Sequence, residues 1–200
     1  MNKRNSDLNL IFSTPLWTTV VPNYKEINTK FSNYIQNLQT NDPEGRKKSN
    51  LIGWHSKNFN LSDPVPQFFI KNISSILNES INDMGWDIEK NELKITGMWS
   101  IINPSNASNA RHIHSNNYIS AAYYVKAPKN CGDIKFHDPR SAKVIRTPIT
   151  KKPNNLNLEV INITPQEGLL VLFPSYLHHS VDMNNSSDER VVISFNIDLI

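Results

Sequence analysis

The feature that most constrains this chain is a change of rhythm near residue 95. From there it runs as seven short β-rich segments, at 94–102, 118–125, 133–136, 158–163, 169–173, 179–183 and 190–199. Turn-forming clusters separate them: Pro128-Lys129-Asn130-Cys131-Gly132, Pro165-Gln166-Glu167-Gly168 and Asn184-Asn185-Ser186-Ser187-Asp188. Short strands at such spacing each need a buried face. They find it by closing into a sandwich or jelly roll, so a mainly β fold is expected.

Before residue 95 the period is helical. Residues 24–38 set Ile27, Phe31, Tyr34, Ile35 and Leu38 on one face, and residues 64–84 do the same with Ile70, Ile73, Leu77, Ile81 and Met84. The second stretch has Asp63 as candidate N-cap, Pro64 in the first turn and Gly85 just past its end. Neither helix is apolar all round, so each should lie on something larger, the outside of one sheet. No repeat or linker divides the chain. It reads as one domain over 1–200, with 1–95 as N-terminal support and 96–200 as the β core. The long basic segment 139–153 reads as a lid or a plain loop.

Bulk properties narrow the function. The formal net charge is +3, with Arg46-Lys47-Lys48 and Lys151-Lys152 as the basic clusters. Both lie in polar stretches without interleaved aromatics, which favours solvated surface over a nucleic-acid interface. No run is long and apolar enough for a membrane span, and no apolar stretch follows the basic N-terminus. One cysteine, Cys131, suits a reducing cytoplasm. It sits in a turn with no base nearby, and there is no Gly-x-Ser-x-Gly elbow, so nucleophilic hydrolysis is excluded. A homo-oligomer is compatible with all of this.

Four of the six histidines fall in two groups. Residues two apart in extended backbone share a face, so His112 and His114 can hold one metal ion with Ile113 turned away. The plainer account of such a pair is two hydrogen-bonded core rings. A third ligand from a distant strand would complete a facial triad with open positions. Alternation puts His179 on a face with Val181 and Met183 and puts His178 with Ser180 and Asp182. His179 is therefore the inward candidate, and His178 the alternative. Arg190 opens the last strand on the face of Val192, Ser194 and Asn196, opposite Val191, Ile193, Phe195, Ile197 and Leu199. If the apolar face meets the helices, Arg190 points inward. A buried guanidinium needs an anion, and a bound dicarboxylate would serve; pairing with Asp188, Glu189 or solvent is the ordinary alternative.

Ile102-Asn103-Pro104, Arg111-His112-Ile113-His114, Ala122-Tyr123-Tyr124-Val125, Gly132-Asp133-Ile134-Lys135-Phe136, Leu172-Phe173-Pro174, His179-Ser180-Val181 and Arg190–Asn196 together resemble the core of the 2-oxoglutarate/Fe(II) oxygenase superfamily. The likeness is greatest to its small members from marine bacteria and phages. Ile11-Phe12-Ser13-Thr14-Pro15-Leu16-Trp17 and His137-Asp138-Pro139-Arg140 are similar to that group too.

The resemblance implies a cupin-like double-stranded β-helix with N-terminal helices on one sheet. It also implies Fe(II) and 2-oxoglutarate as cofactors, and hydroxylation of a small-molecule or protein substrate with release of succinate and CO2. His112, His114 and His179 would be the iron ligands, Arg190 would grip the far carboxylate of 2-oxoglutarate, and Tyr124 would assist. Strand parity agrees if Tyr118, Ser120, Ala122 and Tyr124 continue the face of His112 and His114. The sequence departs from the superfamily pattern at His114, where an Asp or Glu is usual. Asp138 is an alternative carboxylate ligand, with His114 then beside the metal. Two other functions fit the same barrel: a three-histidine dioxygenase that ignores 2-oxoglutarate, and a non-catalytic metal- or ligand-binding module.

Overall fold

A computed structural model describes residues 6–141 and 148–200; part of the 139–153 segment read as a lid or loop lies outside them. Two helices, α1 (Tyr24–Asn41) and α2 (Pro64–Asp83), accompany eleven strands among the described residues. These are β1 (Trp17–Val20), β2 (Asn50–Leu51), β3 (Trp54–His55), β4 (Leu93–Asn103), β5 (Ser108–His112), β6 (Ile119–Lys126), β7 (Ile134–His137), β8 (Val160–Ile163), β9 (Leu169–Pro174), β10 (His179–Val181) and β11 (Arg190–Leu199).

The strands form two antiparallel sheets, ordered β1-β9-β6-β11-β4-β3 and β2-β5-β10-β7-β8. Along the chain β4 to β11 pass back and forth between them, so β4, β11, β6 and β9 face β5, β10, β7 and β8. That winding is the double-stranded β-helix. It makes each strand of the larger sheet two-sided: one face meets the helices and the other the space between the sheets.

The two faces carry different work. Val191, Ile193, Phe195 and Ile197 of β11 join Tyr123, Leu170 and Leu172 in the helix-side core with Ile27, Phe31, Phe69, Ile73 and Ile81. Phe69 sits 4.8 Å from the Tyr123 ring and 5.9 Å from Phe195, and edge-on to Phe31 at 5.4 Å. Burying one such side chain contributes about 1.5–3 kcal/mol. A buried polar hook adds direction: Asn28 on α1 donates to the Val125 carbonyl at 2.8 Å and accepts from the Tyr123 hydroxyl at 2.7 Å. The opposite face packs Ala122, Tyr124, Val171, Phe173 and Val192 against Ile134 and Phe136 of the second sheet.

Asp63 is the N-cap of α2, in extended conformation with Pro64 following, as its position predicts, but its side chain makes no capping bond. Its carboxylate instead accepts from the Tyr34 hydroxyl and the Asn60 amide, both at 2.8 Å, tying α1 to the start of α2. Tyr118 is not on the inward face; it precedes β6, is exposed, and packs on Trp86. Four strands have no counterpart in the sequence reading: β1, β2, β3 and β5.

Candidate functional site

The histidines are assembled by strand pairing. Antiparallel register sets His179 of β10 directly opposite His112 of β5, and neighbours across a pair share one face. His114 lies beyond the end of β5, where its backbone N–H donates to the Ser175 carbonyl at 3.0 Å. The three rings meet, with centroids 4.2 Å apart for His112–His179, 5.1 Å for His114–His179 and 5.2 Å for His112–His114.

Each ring is oriented by its Nδ1. His112 Nδ1 lies 2.7 Å from the Ala110 carbonyl, His179 Nδ1 lies 3.0 Å from that of Leu177, and His114 Nδ1 lies 2.6 Å from Asn196 Oδ1. All three acceptors are oxygens, so each Nδ1 carries the proton and each Nε2 presents a lone pair. Nε2 of His112 and Nε2 of His114 stand 3.3 Å apart, and a potential ligand atom from each of the three residues lies within 4.8 Å of the others. Lone pairs aimed at one another repel unless a cation sits between them. Nitrogens about 2 Å from a metal at right angles are roughly 3 Å apart, which is this spacing. The donor set fits a divalent transition metal.

Burial keeps the rings in the neutral, ligating form. It pushes His179 down to about 3, with the neighbouring His112 adding to the shift. It pushes His114 down to about 4 against the opposing bond to Asn196, and lowers His112 as well. Asp138 does not join them: the cluster holds three histidines and no carboxylate among the described residues. Its oxygens receive the Arg140 guanidinium at 2.8 and 3.0 Å. His178, which precedes β10, also stays out of the cluster.

Arg190 lies 1% exposed at the start of β11, inside the same cavity. Its Nη1 donates to the Cys131 carbonyl, and to those of Gly132 at 3.1 Å and Asp182 at 3.4 Å. Its Nη2 is buried without a partner. Among the described residues no acid forms an ion pair with it: Asp188 lies beside Lys126, and Asp182, whose charge reaches Arg190, lies beside Lys135. An unpaired donor on a buried cation costs more than an ordinary lost hydrogen bond, so it marks a place for an anion. Tyr124, 1% exposed, also lines the cavity, and its hydroxyl feels the Arg190 charge while burial raises its pKa.

The cavity between the sheets measures about 820 Å³, within the range of small-molecule sites. Sequence reasoning missed part of its lining. Asn196 was placeable by its parity with Arg190, but nothing in the sequence tied it to His114. Ser120 extends that link, its hydroxyl donating to Asn196 Oδ1 at 2.9 Å and lying 2.8 Å from that of Ser175. His55 and Trp99, stacked at 5.8 Å, had no signal at all.

A histidine cluster and a buried guanidinium inside a double-stranded β-helix define the class of non-haem metal oxygenases that bind an anionic cosubstrate. The family model described as "Putative 2OG-Fe(II) oxygenase" matches residues 97–196, half of the chain. The chain belongs to the 2OG-Fe(II) oxygenase family, whose cofactors are Fe(II) and 2-oxoglutarate.

Solved structures share the fold at low identity. A prolyl-4-hydroxylase from Pseudomonas putida is 11% identical, with 93% of each chain covered and a TM-score of 0.65. A prolyl hydroxylase from Trichoplax adhaerens, in complex with a hypoxia inducible factor peptide, is 14% identical, covering 92% of this chain and 83% of that one at a TM-score of 0.64. HygX from Streptomyces hygroscopicus, with nickel, 2-oxoglutarate and hygromycin B bound, is 9% identical over 92% and 83%, TM-score 0.63. No curated protein matches the sequence. Among the described residues, no helix is long and apolar enough to cross a membrane.

Proposed function

We propose that this oxygenase hydroxylates its substrate, with His112, His114 and His179 as the iron ligands, and with Arg190 and Tyr124 as the grip on the far carboxylate of 2-oxoglutarate. The observation that carries the reading is the convergence of three Nε2 lone pairs in one cavity with a buried guanidinium lacking an anion. When bound, iron and 2-oxoglutarate would supply the oxidising chemistry with dioxygen as the oxidant: one oxygen atom enters the cosubstrate, which leaves as succinate and CO2, and the other enters the substrate as a hydroxyl.

The chain's own residues do the rest. The carbonyls of Ala110 and Leu177 and the Asn196 amide hold the three imidazoles in the ligating tautomer. Arg190 offers one fork edge to a carboxylate while its other edge is pinned by three carbonyls, which fixes the distance from anion to histidines. Phe136, Phe173 and Val192 close the inner wall and exclude water from that end.

We read the chain as one domain, 1–95 supporting 96–200, acting in the cytoplasm on a small-molecule or protein substrate rather than nucleic acid. A free and buried Cys131 is consistent with that compartment. The first measurement is anaerobic addition of Fe(II) and 2-oxoglutarate, in wild type and in Arg190→Ala. A visible charge-transfer band that needs both additions and weakens in the variant is expected. Tight iron binding with no band would favour the three-histidine dioxygenase that takes its substrate directly, a reading the all-histidine donor set keeps in play. Iron bound, with a band but no turnover of any substrate, would leave a binding module.

A further inference from the structure

Resting on that reading, we propose that the substrate is a small anion, whose phosphate or carboxylate group is held at the cavity mouth by Arg46 and Lys48. The basic run that looked like solvated surface in the sequence is split by the fold. Arg46 and Lys48 line the cavity and Lys47 between them does not. The segment is held in that phase by its backbone: Arg46 N–H donates to the His55 carbonyl at 2.7 Å, and Lys48 N–H to Asn50 Oδ1 at 2.8 Å. Gly45 permits the approach. At its φ of +57° a Cβ would fall 2.6 Å from the His55 carbonyl oxygen and 2.7 Å from the Trp54 ring.

The charge on this side of the cavity is uncompensated. No Asp or Glu lines the cavity, and neither Arg46 nor Lys48 forms an ion pair among the described residues. Asp42, the carboxylate on which the Arg46 charge acts, is taken by Lys57 at 2.9 Å and lies outside the lining. The field also reaches inward. His55, buried and already lowered by desolvation, is held down further by Arg46 and by Lys48.

From that mouth a row of rings leads to the histidine cluster. His55 stacks on Trp99 at 5.8 Å with planes 10° apart, and Trp99 lies 5.6 Å from His114. Trp99 Nε1–H is buried without a partner, a donor left over after the protein's own bonds are made. Arg190 serves the cosubstrate at the far end, so Arg46, Lys48 and Trp99, with Arg111 beside them in the lining, remain for the substrate. The geometry suits a small molecule: the site is a cavity of about 820 Å³ between the sheets, and Lys47 does not line it.

The test uses the full chain loaded with Ni(II). 2-Oxoglutarate is titrated first by calorimetry. Phenyl phosphate and benzoate, monofunctional anions that bind Ni(II) only weakly, are then titrated at constant ionic strength with 2-oxoglutarate saturating. At least one probe should bind, and Arg46→Gln/Lys48→Gln should weaken it by about tenfold or more while 2-oxoglutarate affinity and the thermal midpoint hold. Lys47→Gln should change it by less than about twofold, and Arg190→Gln should lose 2-oxoglutarate but keep the probe. The preferred probe tells phosphate from carboxylate. Absence of binding by both probes overturns the proposal. So does binding indifferent to positions 46 and 48, equal weakening by Lys47→Gln, or tighter binding of a single-stranded oligothymidylate. If 2-oxoglutarate fails to bind while a probe binds through 46 and 48, the cosubstrate reading falls and the anion site stands.

Discussion

At the scale of single residues, the proposed ligand His114 stands where the pattern the sequence resembles has an Asp or Glu, and a histidine in that role makes its own demand. A carboxylate oxygen ligates from either of two equivalent atoms, but an imidazole ligates only if its other nitrogen keeps the proton. Asn196 meets that demand for His114, accepting from Nδ1 at 2.6 Å, and Ser120 holds the amide in place at 2.9 Å. Asn196→Leu should therefore lower metal affinity by about 10–100-fold, the usual cost of losing such a partner. Asn196→Asp keeps an acceptor and should keep affinity or raise it. Competition with a chromophoric chelator measures both, with circular dichroism as the check on folding. Equal loss in Leu and Asp variants would show that Asn196 acts only by packing.

Elements decide how much of this was legible. Strands β4, β6, β9 and β11 alternate or run apolar because both faces are buried, so their positions could be read to within a residue or two. The inward phase of Arg190 and His179 followed from the same alternation. Strand β5, Ser108-Asn109-Ala110-Arg111-His112, is polar and carries no β-branched residue, so propensity could not reveal it. It exists because β10 and β2 flank it with open edges. Strands β2 and β3, two residues each, are likewise made by their neighbours. The tie between Asn196 and His114 spans 82 positions, and no local signal records a contact across such a separation.

A turn outside the strands also feeds the site. Gly132 has φ +88°, and a Cβ there would lie 2.4 Å from the Asp182 carbonyl oxygen, while its own carbonyl helps pin Arg190. Gly132→Ala should cost roughly 2–4 kcal/mol through strain and overlap. Urea unfolding reads that cost. Because the pinning carbonyl must shift, 2-oxoglutarate affinity should fall more than metal affinity. A variant as stable as wild type would show the turn to be pliable and the argument wrong.

For the whole molecule, the site lies where the two sheets face each other, and it draws on β5, β10, β11 and the segment after β5. The unfolded chain has no such arrangement, so a metal that needs all three histidines binds the folded state and stabilises it by mass action. At a free Ni(II) concentration 100-fold above Kd this amounts to about 2.7 kcal/mol. For a chain of this length that is a rise of about 5–10 °C in Tm. His179→Ala removes one of the three proposed ligands and should abolish most of the rise. 2-Oxoglutarate should add a further increment only when metal is present and Arg190 is intact, because its two ends need both. By reciprocity the cosubstrate should then tighten metal binding by the same factor. Differential scanning fluorimetry across the four combinations of metal and cosubstrate measures the coupling directly. An equal Ni(II) shift in His179→Ala would mean that the ion binds elsewhere. A 2-oxoglutarate shift without metal would mean that Arg190 alone holds the diacid and that the two halves of the site work independently.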